Sequence, residues 1–236
     1  MNKIAIAIFV TLLLEMHPAF LFAAPLVYED VERRIEVKEF DKAEELLNRY
    51  LSLNDKDVTA LSMLGRLYQE AGDSKKAAQV LKKAVKIDPA YPSAHFFLGR
   101  NYYKAMKDDE AVSEFAVFME KMDEFSGLSR EDREFYVHAL DEINEIYFNL
   151  KMYEEFRAVN QRILKMLPND QTATYNMGVY YYIHDHNGSK AYQFFKKAVD
   201  LAPDSNFAKK ARYAIEFMRA NPDSRMAPDF DFIDKL

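Results

Sequence analysis

A glycine and a tyrosine recur in step along this 236-residue chain, and that recurrence restricts its fold more than any other feature. Gly65 and Tyr68, Gly99 and Tyr102, and Gly178 and Tyr181 share one local pattern, each glycine following Leu64, Leu98 or Met177. The first two glycines lie 34 residues apart. After Gly65 come Ala77, Leu81, Ala84 and Pro89 at offsets 12, 16, 19 and 24. In residues 58–71, Leu61, Leu64 and Leu67 fall on one face at helical spacing. Gly72-Asp73 breaks that helix, and Ser74 reads as the cap of a second one from Lys75 to about Ile87. Pro89 closes the unit, because the residue before a proline is biased away from helix. A glycine inside a helix costs about 1 kcal/mol relative to alanine, so its reuse at a fixed phase calls for a packing reason. The expectation is that Gly65 faces the small Ala77 where two backbones approach, and that Ala84 admits the first helix of the next unit.

These positions resemble the tetratricopeptide repeat, whose pattern places Leu-Gly, Tyr, Ala, an apolar or aromatic residue, Ala and Pro at these offsets. Residues 58–91 match at every one of them. Residues 92–125 match with Leu98, Gly99, Tyr102, Ala111 and Phe115, and depart with Phe118 at the second alanine and Asp123 at the proline. Residues 171–205 match with Gly178, Tyr181, Ala191, Phe195, Ala198 and Pro203 after a one-residue insertion. Two units are degenerate. Residues 24–57 keep Ala43, Leu47 and Tyr50, and residues 137–170 keep Tyr147 and Pro168. The latter carry Asn144 at the glycine position and Phe156 at the first alanine position. The family places those two positions opposite each other, so the two helices are expected to stand further apart there.

The 11-residue insertion at 126–136 contains Ser129-Arg130-Glu131-Asp132, a capping-box pattern that predicts a long helix from near Arg130. Residues 206–220 read as a lone amphipathic helix covering the last repeat, and residues 221–236 as an extended acidic tail. The resemblance implies an all-α fold, a right-handed α-solenoid of about five helix pairs plus a C-terminal capping helix.

A net charge of -6 speaks against nucleic acid as a partner. With no cysteine, the chain has no disulfides, thiol nucleophiles or cysteine metal sites. Residues 1–23 read as a signal peptide: Lys3 supplies the positive start, and residues 4–14 are apolar but too short for the roughly 20 residues that span a bilayer. Cleavage is expected after Ala23, which places the protein in the periplasm or cell envelope. The alternative is an uncleaved N-terminal anchor, the one route by which membrane contact is expected.

Catalytic chemistry has little support in the residues. His184-Asp185-His186 has no third His or Cys nearby and reads as a polar turn, and no metal, cofactor or catalytic residue is expected. The family resemblance instead implies a concave surface lined by the first helix of each unit. Carried onto this chain, that surface contains Arg66, Phe96, Phe97, Arg100, Tyr103 and Lys104. Further along it contains Asp141, Glu145, Tyr175, Asn176 and Tyr182. Arg66 and Arg100 hold equivalent places and are expected to stack as a cationic pair beside aromatic rings, the residue types enriched at binding hot spots. The lysine and asparagine set with which some family members grip a terminal carboxylate is absent from the matching positions, where Ser62, Arg66, Phe97, His138 and Glu142 stand.

The implied function is a non-catalytic protein-binding scaffold or assembly factor whose partner is a protein or peptide. The alternative is a self-associating subunit, a homo-oligomer whose acidic aromatic tail (Phe230, Phe232, Ile233) docks in a groove.

Overall fold

The structure is a computed structural model that describes residues 24–124 and 130–221. The signal-peptide reading, residues 126–129 of the insertion and all of the tail after Asn221 lie outside the described residues. Among the described residues there are eleven α-helices and no strand. The chain divides into two compact units, Met1–Gly127 and Leu128–Leu236.

The first unit holds three helix pairs: α1 (Ala24–Glu36) with α2 (Phe40–Leu51), α3 (Val58–Glu70) with α4 (Ser74–Ile87), and α5 (Pro92–Lys104) with α6 (Asp108–Glu124). The second holds α7 (Arg130–Asn149) with α8 (Tyr153–Met166), α9 (Gln171–Ile183) with α10 (Gly188–Leu201), and α11 (Asn206–Ala220), which packs on α10 and α9. At 20 residues α7 is the longest described helix.

Each turn within a pair contains one residue in the left-handed region: Lys38, Gly72, Met106, Lys151 and His186. In four of the turns, the next amide donates back to the carbonyl five residues earlier: Glu39 to Arg34, Asp73 to Tyr68, Lys107 to Tyr102 and Met152 to Tyr147. This bond satisfies a carbonyl that the helix end would otherwise leave unpaired, and it reverses the chain in a few residues. Asp73, rather than Ser74, caps α4, its carboxylate accepting from the Lys76 amide at 3.0 Å. Asp57 and Asp170 cap α3 and α9 in the same way.

At each recurring glycine the nearest atoms belong to a large buried side chain, and not to the small alanine expected there. A Cβ on Gly65 would lie 2.4 Å from Leu81 Cγ, one on Gly99 2.6 Å from Phe115 Cε1, and one on Gly178 2.6 Å from Phe195 Cδ1. The nearest atoms to each glycine thus belong to the large residue at offset 16, or 17 for Gly178, and the missing side chain makes room for a buried Leu or Phe. The same pairing accounts for the degenerate fourth repeat. Asn144 pairs with Asn160, and each amide NH2 donates to the other's carbonyl oxygen, at 3.0 and 2.7 Å. Asn160 donates further to the Phe156 carbonyl at 2.7 Å, so a fully buried polar pair is satisfied within itself. Ala84 does pack with Ala94 and Leu61, where α4 meets the next repeat.

The degenerate first repeat is tied on by tyrosines. Tyr28 and Tyr50 both donate to Asp57 Oδ2, at 2.8 and 2.9 Å. Burial of Asp57 opposes its charge, but these bonds and the Ala60 amide more than offset that and hold its carboxyl below the usual range.

Candidate functional site

In the first unit, the expected cationic surface is used to join repeats. Arg66 on α3 donates to both oxygens of Glu32 on α1, at 2.9 and 2.8 Å. Arg100 on α5 donates to Glu70 at 2.6 Å and to the Gln69 side-chain oxygen at 3.1 Å, both on α3. Gln69 in turn donates to the Phe97 carbonyl at 2.6 Å. Each arginine thus meets an acid one repeat earlier, so the positive charge expected of the pair is already matched within the scaffold. Phe96 and Phe97 are buried, 2% and 6% exposed, with Phe96 packing on Phe118 at 5.5 Å, so they hold helices together rather than offering a surface. Tyr103 is half-buried and Lys104 exposed.

In the second unit, four of the expected residues do come together, around a cavity of about 560 Å³. Asp141, Asn144, Glu145 and Phe148 follow at three- and four-residue steps along α7 and share one face. Thr172, Tyr175, Asn176 and Val179 do the same along α9. Phe156 of α8 contributes a wall, and Phe207 and Lys210 of α11 close another side. Tyr175 is fixed between Phe195 at 5.6 Å and Phe207 at 5.5 Å. Tyr182 is not part of this lining and packs against the core formed around Ala191 and Phe195.

The charges of the cavity are uneven. Oδ1 of Asp141 is buried with no hydrogen-bond partner. Burial and then the negative charge of Asp170 push the Asp141 carboxyl up to about 6, with His138 acting in the opposite direction. Glu145, one turn further along α7, is exposed. Across the cavity, the Lys210 ammonium lies over the Phe207 ring at 5.9 Å.

His184 lies 3.2 Å from a Glu154 oxygen and between the rings of Tyr153 and Tyr180, while His186 supplies the left-handed turn. Among the described residues, no group of three or more His, Cys, Asp or Glu is placed to hold a metal ion, and no helix is long and apolar enough to cross a membrane.

The lining residues that sequence reasoning missed are of two kinds. Phe148 and Thr172 continue the stripes through Asp141 and Asn176 and could have been found from helical periodicity. Phe207 and Lys210 come from the capping helix, where the repeat pattern offers no guide.

Comparison with known proteins supports the repeat assignment. A family model described as TPR repeat matches residues 65–105. A 55-residue stretch is 44% identical to BBSome complex member BBS4 of Bos taurus, covering 23% of this chain and 10% of that protein's length. The crystal structure of MamA superposes with a TM-score of 0.57 at 20% identity, covering 78% of this chain and 97% of the other. That of YrrB, described as a TPR protein with an unusual peptide-binding site, gives 0.55 at 22% identity, covering 77% of this chain and 88% of the other. At such identities the superpositions speak to fold alone, and they agree with the sequence match at the centre of the first unit. The chain thus has the helix-pair fold seen in tetratricopeptide-repeat proteins, and its residues 65–105 match the model of that repeat.

Proposed function

We propose that this chain is a non-catalytic scaffold of the cell envelope that holds a peptide segment of another protein in the cavity of its second unit. The repeat fold suggests a protein-binding scaffold, and proteins of this family are generally non-catalytic. The observation that carries the peptide reading is the cavity between α7, α9 and α11. At about 560 Å³ it lies within the usual range of binding pockets, and it combines aromatic walls with a few polar groups. The envelope reading rests on residues 1–23, with their positive start and short apolar segment.

The self-associating alternative is less favoured, because Arg66 and Arg100 already pair with Glu32 and Glu70. A photo-crosslinking residue placed at Thr172 of the full chain tests the peptide reading. Crosslinks to one defined segment of another protein, lost when Asn176→Trp fills the cavity and absent from a probe at exposed Tyr192, are the expected result. Equal labelling from both positions would overturn it. N-terminal sequencing of the native protein tests export: it should begin at or near Ala24, and an intact Met1 in the cytosol would defeat the envelope reading.

A further inference from the structure

The cavity of the second unit is lined by a carboxylate, Asp141, whose Oδ1 has no hydrogen-bond partner. Leaving a buried oxygen without a donor costs free energy, and more so for a charged group. Asp141 is in this position on α7: burial and the Asp170 carboxylate both work against its charge, and the opposing influence of His138 does not outweigh them. Glu145 extends the negative wall towards solvent. Around these carboxylates stand the rings of Phe148, Tyr175 and Phe207. Aromatic faces of this kind attract cations, and Phe207 already carries one, the Lys210 ammonium.

We propose that the cavity takes the lysine or arginine side chain of a partner peptide, with Asp141 receiving the cation and the aromatic walls flanking its aliphatic stem. This rests on the groove reading above and adds the chemistry of what enters. A cavity of about 560 Å³ is larger than one such side chain, so apolar neighbours in the peptide share it. The chain's own tail has the wrong sign: Asp229, Asp231 and Asp234 would be brought against Asp141 and Glu145. Because a cation binds the ionised carboxylate, affinity falls as Asp141 takes up its proton, below about pH 6.

The test is a random short-peptide display library panned against the immobilised full chain, with selected peptides measured by fluorescence anisotropy. The expected outcome is enrichment of sequences with a Lys or Arg between apolar residues. Asp141→Asn should then weaken them about tenfold, the effect of losing roughly 1.4 kcal/mol, while thermal unfolding at pH 7.5 stays the same or rises, because the buried charge is removed. Glu145→Gln should weaken them less, and lowering the pH from 7.5 to 5 should reproduce the Asp141→Asn loss in the wild type only. Enriched peptides that lack a basic residue and bind Asp141→Asn equally well, yet are blocked by Asn176→Trp, would overturn the cation while leaving the groove. Failure to enrich any peptide that Asn176→Trp blocks would overturn both.

Discussion

Replacing Gly99 with alanine sets two effects of known sign against each other. A Cβ there would sit 2.6 Å from Phe115 Cε1 and 2.8 Å from Cδ1, whereas nonbonded carbons rest at about 3.5–4.0 Å. Phe115 is fully buried, with Phe96 packed at 6.4 Å, so its rigid ring has no open space to move into. Overpacking of this sort costs about 1–3 kcal/mol, and alanine's helix propensity returns about 1. The net expectation is a loss of roughly 0–2 kcal/mol. The sign should reverse when the ring is removed. Phe115→Ala alone costs about 3–5 kcal/mol, but in that background the new methyl enters a cavity, and Gly99→Ala should stabilise by about 1 kcal/mol. The coupling between the two sites is therefore about 1–3 kcal/mol. Urea unfolding of the full chain, followed by far-UV circular dichroism and fitted with a transition for each unit, measures all four corners. Equal stabilisation by Gly99→Ala in both backgrounds would refute the glycine–ring contact.

Three more outcomes follow from local geometry. At Gly72, φ is 83° and a Cβ would meet nothing within 4 Å, so Gly72→Ala reports backbone strain alone and should cost about 1–2 kcal/mol, while Met106→Gly at φ 56° should raise the melting temperature. Asn144→Ala strands a buried Asn160 amide and should cost about 1–3 kcal/mol in chemical denaturation. His95 is buried with Nδ1 2.6 Å from Glu114 and Nε2 3.0 Å from the Pro89 carbonyl, two acceptors that both ask for a donating ring nitrogen. Burial opposes the charged ring, but Glu114, Pro89 and the charge of Asp88 prevail and hold its pKa above the ordinary value. The resulting stabilisation is full below about pH 6.5 and fades as pH rises through the raised value, so unfolding midpoints should fall between pH 6 and 9 in the wild type and stay flatter in His95→Gln.

Much of the fold was legible because the repeat writes the same physics several times. The break at Gly72-Asp73 and the stop before Pro89 are local events, governed by backbone preferences that a short stretch of sequence carries. Which residue a glycine faces is not local. Gly65 meets Leu81, Gly99 meets Phe115 and Asn144 meets Asn160, a relation fixed by how two helices cross. The sequence did hold a signal for it, since Asn144 and Asn160 change together at the same offset that separates Gly99 from Phe115.

The site was legible only on one side, and the reason is where partners come from. Transferring positions along a first helix identified Asp141, Glu145, Tyr175 and Asn176 because those four lie on helical stripes that point one way. The same transfer failed for Arg66 and Arg100, whose character as binding residues depended on acids in the preceding repeat. Glu32 stands in a repeat too degenerate to be read in register, and Glu70 in the last turn of α3. An arginine with a carboxylate 2.6–2.9 Å away serves the seam between repeats before it serves a ligand. Asp141 has no such neighbour, and the two charges nearest in effect, Asp170 and His138, pull its titration in opposite directions. Charge that the fold has already matched stabilises the scaffold; charge that it leaves unmatched inside a cavity is what remains for a partner to complete, and in the second unit that charge is negative.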